Sequence, residues 1–166
     1  MAVRRIEEAV TELLHGDARE TALDFAAYLQ KNEILLGESE NYWEAKYKDQ
    51  SVCFIWVDGS DQLPGPWTVW SDQEPGTWIF WSNENTARGP DAGIVDEPTK
   101  ETAWKNANFC ADCGGCSPGK TKTILGKEFE HLCNSALAFT NPDAAALQCI
   151  KSMVDTRKSD ILKKTV

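Results

Sequence analysis

Cys110-x2-Cys113-x2-Cys116 places three thiols on one tight turn that holds Gly114 and Gly115, and Cys133 returns after sixteen residues. Zinc takes four soft ligands in a tetrahedron, and a knuckle joined to a hairpin strand is a common way to deliver them. His131, two residues before Cys133, can replace one thiol. The competing reading is a [4Fe-4S] cluster, because C-x2-C-x2-C also opens the bacterial ferredoxin run. In that run the next cysteine follows after three intervening residues, whereas here Ser117-Pro118 follows and no cysteine comes until Cys133. Four of the six cysteines fall within 24 residues, which scattered core packing does not produce. Cys53 and Cys149 stand alone in a strand pattern and a helix pattern and read as small core hydrophobes. A thioredoxin-type redox pair needs its thiols at a helix N-terminus, and these three follow what reads as a helix C-terminus.

Two catalytic patterns overlap the knuckle and fail on physical grounds. Gly114 to Thr121 satisfies the phosphate-binding expression G-x4-G-K-T, with Val52 to Val57 and Asp58 imitating a magnesium strand. That mechanism needs a buried strand before the loop and a helix after it. Here a helix is expected before and a hairpin after, and Pro118 removes a backbone donor. Gly115-Cys-Ser117-Pro-Gly119 matches the nucleophile elbow, whose oxyanion hole uses the N–H after the serine. That residue is Pro118, which has none.

Seven tryptophans in 166 residues exceed ordinary usage, and Trp67, Trp70, Trp78 and Trp81 fall within fifteen of them. Strand alternation sends the members of each pair, Trp67 with Trp70 and Trp78 with Trp81, to opposite faces. One member of each is expected in the core and the other on a ligand or partner surface.

The elements that must position these residues read as α+β: an antiparallel β-meander packed with helices, plus the cysteine knuckle and hairpin. Ile6, Val10, Leu13 and Leu14 form one helical stripe that Gly16 ends. Asp17 and Glu20 resemble a capping box for a second helix to Lys31. Short aromatic and β-branched runs at Tyr42 to Tyr47, Val52 to Val57, Trp67 to Trp70 and Thr77 to Phe80 read as strands. Residues 83–99 read as an exposed excursion. A helix from Pro98 to Asn108 leads to the knuckle. Thr121 to Leu125 and Glu128 to Leu132 form a hairpin around Gly126-Lys127, and Asn141-Pro142 starts a final helix. The whole chain, 1–166, reads as one domain: N-terminal helices over 1–32, aromatic sheet over 42–82, helix, knuckle and hairpin over 98–140, and C-terminal helix over 141–163.

Hydrophobic residues at 42% and charged residues at 26% fit a globular core, and a chain of this length buries roughly 70% of its unfolded surface. A net charge of -9 argues against nucleic acid, which is held by clustered Lys and Arg. The basic tail, Lys151, Arg157, Lys158, Lys163 and Lys164, reads as a solvated helix face. No apolar stretch has the length of a membrane span or signal peptide, so a cytoplasmic protein with reduced thiols is expected.

The run Cys-x2-Cys-x2-Cys-Ser-Pro-Gly, then Ile124-Leu-Gly-Lys-Glu-Phe129, Cys133 and Asn141-Pro-Asp-Ala resembles an uncharacterised family of small bacterial proteins common among clostridia. The likeness covers roughly Ala22 to Val154, with the 83–99 excursion and the first helix as departures. It implies the same order of helix, aromatic strands, knuckle and final helix, and no activity. The sequence therefore points to a zinc-stabilised module that binds an unidentified small molecule or protein, leaning away from an enzyme. The alternatives are an iron–sulfur redox or sensor protein, or a zinc enzyme with an open coordination position.

Overall fold

A computed structural model describes residues 5–39, 42–57, 76–86, 96–110, 112, 114–115 and 117–165. Among these the chain runs α1 (Ile6–Leu13), α2 (Gly16–Lys31), β1 (Leu35–Glu38), β2 (Trp43–Tyr47), β3 (Gln50–Val57), β4 (Trp78–Ser82), α3 (Glu97–Trp104), β5 (Ala107–Phe109), β6 (Lys120–Ile124), β7 (Lys127–Thr140) and α4 (Ala144–Lys164). The strands form one antiparallel sheet in the order β1-β2-β3-β4-β7-β5, with β6 also paired to β7. The α+β class expected from the sequence is what is found.

Cross-strand register explains which face carries the core. Ala45 lies opposite Cys53, Ile55 opposite Phe80, Val57 opposite Trp78, and Phe80 opposite Phe139. All of these are buried. Because alternate residues of a strand share a face, they make one continuous apolar surface. Phe25 of α2 is stacked on Trp78 at 5.9 Å and meets Phe80 edge-on at 5.7 Å. Phe80 meets Phe139 edge-on at 5.8 Å. The Tyr28 hydroxyl of α2 lies against the Asp155 carboxylate and the Lys151 carbonyl of α4. Burial, then the Asp155 carboxylate, push this phenol far above its usual range, so it stays protonated and donates.

Several local expectations give way to tertiary contacts. Gly16 (φ +55) turns the corner into α2, so it starts the second helix after α1 has already ended at Leu13. His15 is the cap but makes no side-chain capping bond, and Asp17 lies inside the first turn, where it faces the positive helix end without forming a capping box. The third helix stops at Trp104, and Ala107–Phe109 is drawn into the sheet as β5. A strand, not a helix, therefore delivers the chain to the cysteines. The final helix is capped by Asp143, which accepts from the Ala146 N–H at 2.8 Å. Asn141 is freed to close β7 onto β4, its Oδ1 accepting from the Trp78 N–H at 2.9 Å.

Two of the basic residues of α4 are less solvated than expected, while Lys163 and Lys164 are exposed. Arg157 is 6% exposed, with its Nε donating to the Ser51 carbonyl at 3.1 Å. Lys158 donates to the Asn32 carbonyl at 2.8 Å and lies over the Tyr47 ring. Their long stems cover apolar surface while the charged ends reach its rim. The expected excursion ends at Asp96, whose carboxylate caps α3 through the Thr99 N–H at 2.9 Å, while residues 87–95 lie outside the described residues.

Phe80 stands where helix and sheet meet. Phe80→Ala is expected to lower the unfolding free energy by about 3–5 kcal/mol in denaturant titration; a loss below about 1 kcal/mol would show that this junction is not part of a packed core.

Candidate functional site

The 14-residue strand β7 organises the region around the cysteines. Leu132 pairs with Phe109 of β5 on one edge and with Lys120 of β6 on the other. Since β5 ends at Phe109 and β6 starts at Lys120, the intervening loop leaves one side of β7 and returns on the other at the same level. Gly119, pressed on the β7 backbone, carries it across the strand.

The crossing is held at a single residue, His131. At the start of the loop the Cys110 N–H donates to the His131 carbonyl at 2.7 Å. At its end the Pro118 carbonyl lies 3.0 Å from His131 Nδ1. A carbonyl can only accept, so Nδ1 carries the proton. Gly119 then presses directly on the strand: a Cβ there would lie 2.7 Å from the His131 carbonyl carbon and 2.8 Å from the Leu132 oxygen. Only glycine fits, and its φ of +86 favours glycine again. His131 itself has φ +60, a left-handed conformation inside a strand, which ordinarily costs about 1–2 kcal/mol.

Cys133 follows two residues later, at the start of a bulge. From Ala107 to Phe109 only Asn108 intervenes, while opposite, between Leu137 and Leu132, β7 carries residues 133–136. Asn134 organises the extra residues, its Oδ1 accepting from Asn108 Nδ2 at 3.2 Å and from the Ala136 N–H at 3.0 Å. Bulges of this kind re-aim side chains that regular pairing would fix. Within the loop Ser117 Oγ donates to the Asp112 carboxylate at 2.5 Å. Outside it, Trp104 Nε1 donates to the Ile124 carbonyl at 2.8 Å and Lys127 lies 4.9 Å over the Trp104 ring, which ties the hairpin to α3.

The six cysteines divide by environment. Cys110 and Cys133 are partly exposed, whereas Cys53 and Cys149 are buried. Burial pushes the Cys53 thiol far above its usual range. Burial, and then the negative charge of Asp96, push Cys149 up to about 12. These two are core thiols, as their isolation in the sequence indicated. Cys113 and Cys116 lie outside the described residues. Among the described residues no three His, Cys, Asp or Glu side chains converge into a group that could hold a metal. Cys110, His131 and Cys133 are all described, so they are not preassembled as such a triad.

The aromatic surface expected from the tryptophans is not found where it can be seen. Trp78 is fully buried in the helix-facing core and its Nε1 donates to Thr21 Oγ1 at 3.2 Å. Trp81 does face the other side of the sheet, opposite Phe54, but is only 8% exposed. Alternation separates the two as expected, and β4 is buried along its whole length, on both faces. Trp67 and Trp70 lie outside the described residues. Of the grounds against the phosphate-loop reading, the preceding helix gives way to a three-residue strand, β5, while the other stands: a strand, β6, follows where a helix is required.

Sequence reasoning placed the hairpin and the core cysteines but missed the role of His131 and the contact made by Gly119. The only signal was the Ser-Pro-Gly run before a strand, which marks a tight approach without naming its target. The chain matches no family model, no curated protein and no solved structure.

The glycine contact separates two effects that a single substitution usually mixes. Gly119→Ala adds a clash with the β7 backbone to left-handed strain, whereas Gly114 (φ +88) has open space where its Cβ would be. Gly119→Ala is therefore expected to cost at least about 1–2 kcal/mol more than Gly114→Ala in thermal unfolding; equal costs would show that the loop does not rest on β7.

Proposed function

We propose that this protein is a metal-stabilised binding or regulatory module in which Cys110, Cys113, Cys116 and Cys133 hold one structural zinc. The observation that carries the reading is the crossing at His131. Both ends of a loop with three regularly spaced thiols are fastened to the strand residue two positions before the fourth. Loop closure is a large part of the entropy of assembling a metal site, and here the fold has closed the loop already.

The donor chemistry fits. Thiolates are the preferred ligands of structural zinc, and four of them leave no position open for substrate. Cys110 and Cys133 are partly exposed, so a metal can reach them, whereas Cys53 and Cys149 are buried. Structural zinc of this kind contributes on the order of 10 kcal/mol of apparent folding free energy. It would lock β5, β6 and β7 together where their pairing is irregular. No reaction is assigned. Residue likeness to the uncharacterised clostridial proteins supports the four cysteines as one unit and adds no ligand.

The test is elemental analysis of purified, chelator-washed protein with its visible spectrum recorded on the same anaerobic sample. One zinc per chain without visible absorption is expected, lost in Cys110→Ser and Cys133→Ser together with a marked drop in melting temperature. Cys149→Ser should keep its metal. Iron with a broad visible band, or wild-type protein with no metal, would overturn the reading.

A further inference from the structure

We infer that the surface formed by β5, β7 and β6 docks an acidic segment of a partner protein, a stretch in which an aromatic or aliphatic side chain is flanked by carboxylates. The inference names a partner class for the binding module proposed above; it rests on that binding role and not on the metal. Residues paired directly across antiparallel strands share a face. Phe109, Leu132 and Lys120 therefore point the same way, as do Phe129 and Lys122 in the next row. The two rows make one surface, because the Phe109 and Phe129 rings meet edge-on at 6.1 Å. Leu132 is fully buried between its neighbours, whereas Phe109 is 52% exposed. Lys127 lies 4.9 Å over the Trp104 ring and 5.2 Å over Phe129, so its ammonium borders the same aromatic cluster. Glu128 pairs with Thr123 on the opposite face and does not offset these charges. Among the described residues the ion pairs fall on Arg5, Lys46, Lys100 and Lys151, and none reaches Lys120, Lys122 or Lys127.

In a chain of net charge -9, three unpaired lysines around exposed rings select a partner by charge complementarity. Alternate residues of a strand lie about 6.5–7 Å apart, so Lys120 and Lys122 match carboxylates two positions apart in an extended segment. Phe109 and Phe129 supply the apolar anchor beside them. Single-stranded nucleic acid fits less well, because its affinity grows with the number of phosphates neutralised, and three lysines on an acidic protein neutralise few. Lysine on an edge strand ordinarily deters strand pairing. That role does not call for an exposed phenylalanine beside it.

The test titrates the intact protein, as purified, into a fluorescein-labelled peptide that carries one phenylalanine within a run of glutamates, followed by fluorescence anisotropy. Saturable binding that weakens as salt is raised is expected. Phe109→Ser, Lys122→Gln and the double variant Lys120→Glu with Lys122→Glu should each weaken it by about fivefold or more. None of these side chains is buried, so the variants should keep the wild-type melting temperature. Lys122→Gln, the mildest change, carries the test if another variant does not fold. A peptide with glutamine in place of glutamate, or serine in place of phenylalanine, should bind more weakly in the same measure. No saturable binding, equal binding of the glutamine peptide, wild-type affinity in the variants, or tighter binding of a single-stranded oligonucleotide would overturn the inference. Protein that holds zinc but ignores the peptide would sink this inference alone, whereas protein that binds the peptide without zinc would support it and sink only the metal reading.

Discussion

The Cys110 N–H bonded to the His131 carbonyl, with Pro118 and Gly119 closing on the same residue, fixes how the chain passes over its longest strand. Two strands antiparallel to β7 flank it at Leu132, and the described ends of the segment between them, Cys110 and Gly119, both close on His131. Sheets rarely carry such a crossing, because a backbone lying on a backbone needs a residue without a side chain and satisfied polar groups on both. Gly119 meets the first need and His131 the second. The bulge bracketed by Asn134 takes up the mismatch that follows and leaves Cys133 beside the crossing.

The remainder of β7 ties this irregular region to a regular core. Its last residues pair with β4, and there the Trp78–Phe25–Phe80–Phe139 cluster packs α2 onto the sheet. One strand thus runs from a well-packed helix–sheet junction to a loop with little apolar support, where Phe109 is 52% exposed. A metal at the loop end would supply there what hydrophobic burial supplies at the other.

Much of the fold was legible because periodicity and turn chemistry agreed. The helical stripe of Ile6 and Val10, the existence of the β6–β7 hairpin and the core placement of Cys53 and Cys149 needed no tertiary information, although the turn falls at Leu125-Gly126, one residue before the expected Gly126-Lys127. β1 was not legible, since Leu35-Leu-Gly-Glu38 lacks β-branched residues and alternation, and among the described residues it pairs along one edge only. β5 was hidden inside a helical pattern, because three residues carry no period and pairing with β7 overrides local preference. A core place for one of Trp78 and Trp81 was legible, but the burial of Trp81 was not, since alternation tells faces apart but cannot say whether both are covered. The cysteine spacing was readable, but the residue that gathers the loop was not, because a carbonyl and a ring nitrogen leave no pattern in sequence.

Zinc-edge X-ray absorption of the metal-loaded protein tests most directly whether the crossing gathers four thiolates around one metal. Four sulfur neighbours at about 2.3 Å with no nitrogen at the shorter distance of about 2.0–2.1 Å are predicted. A nitrogen neighbour, or fewer than four sulfurs, would contradict it.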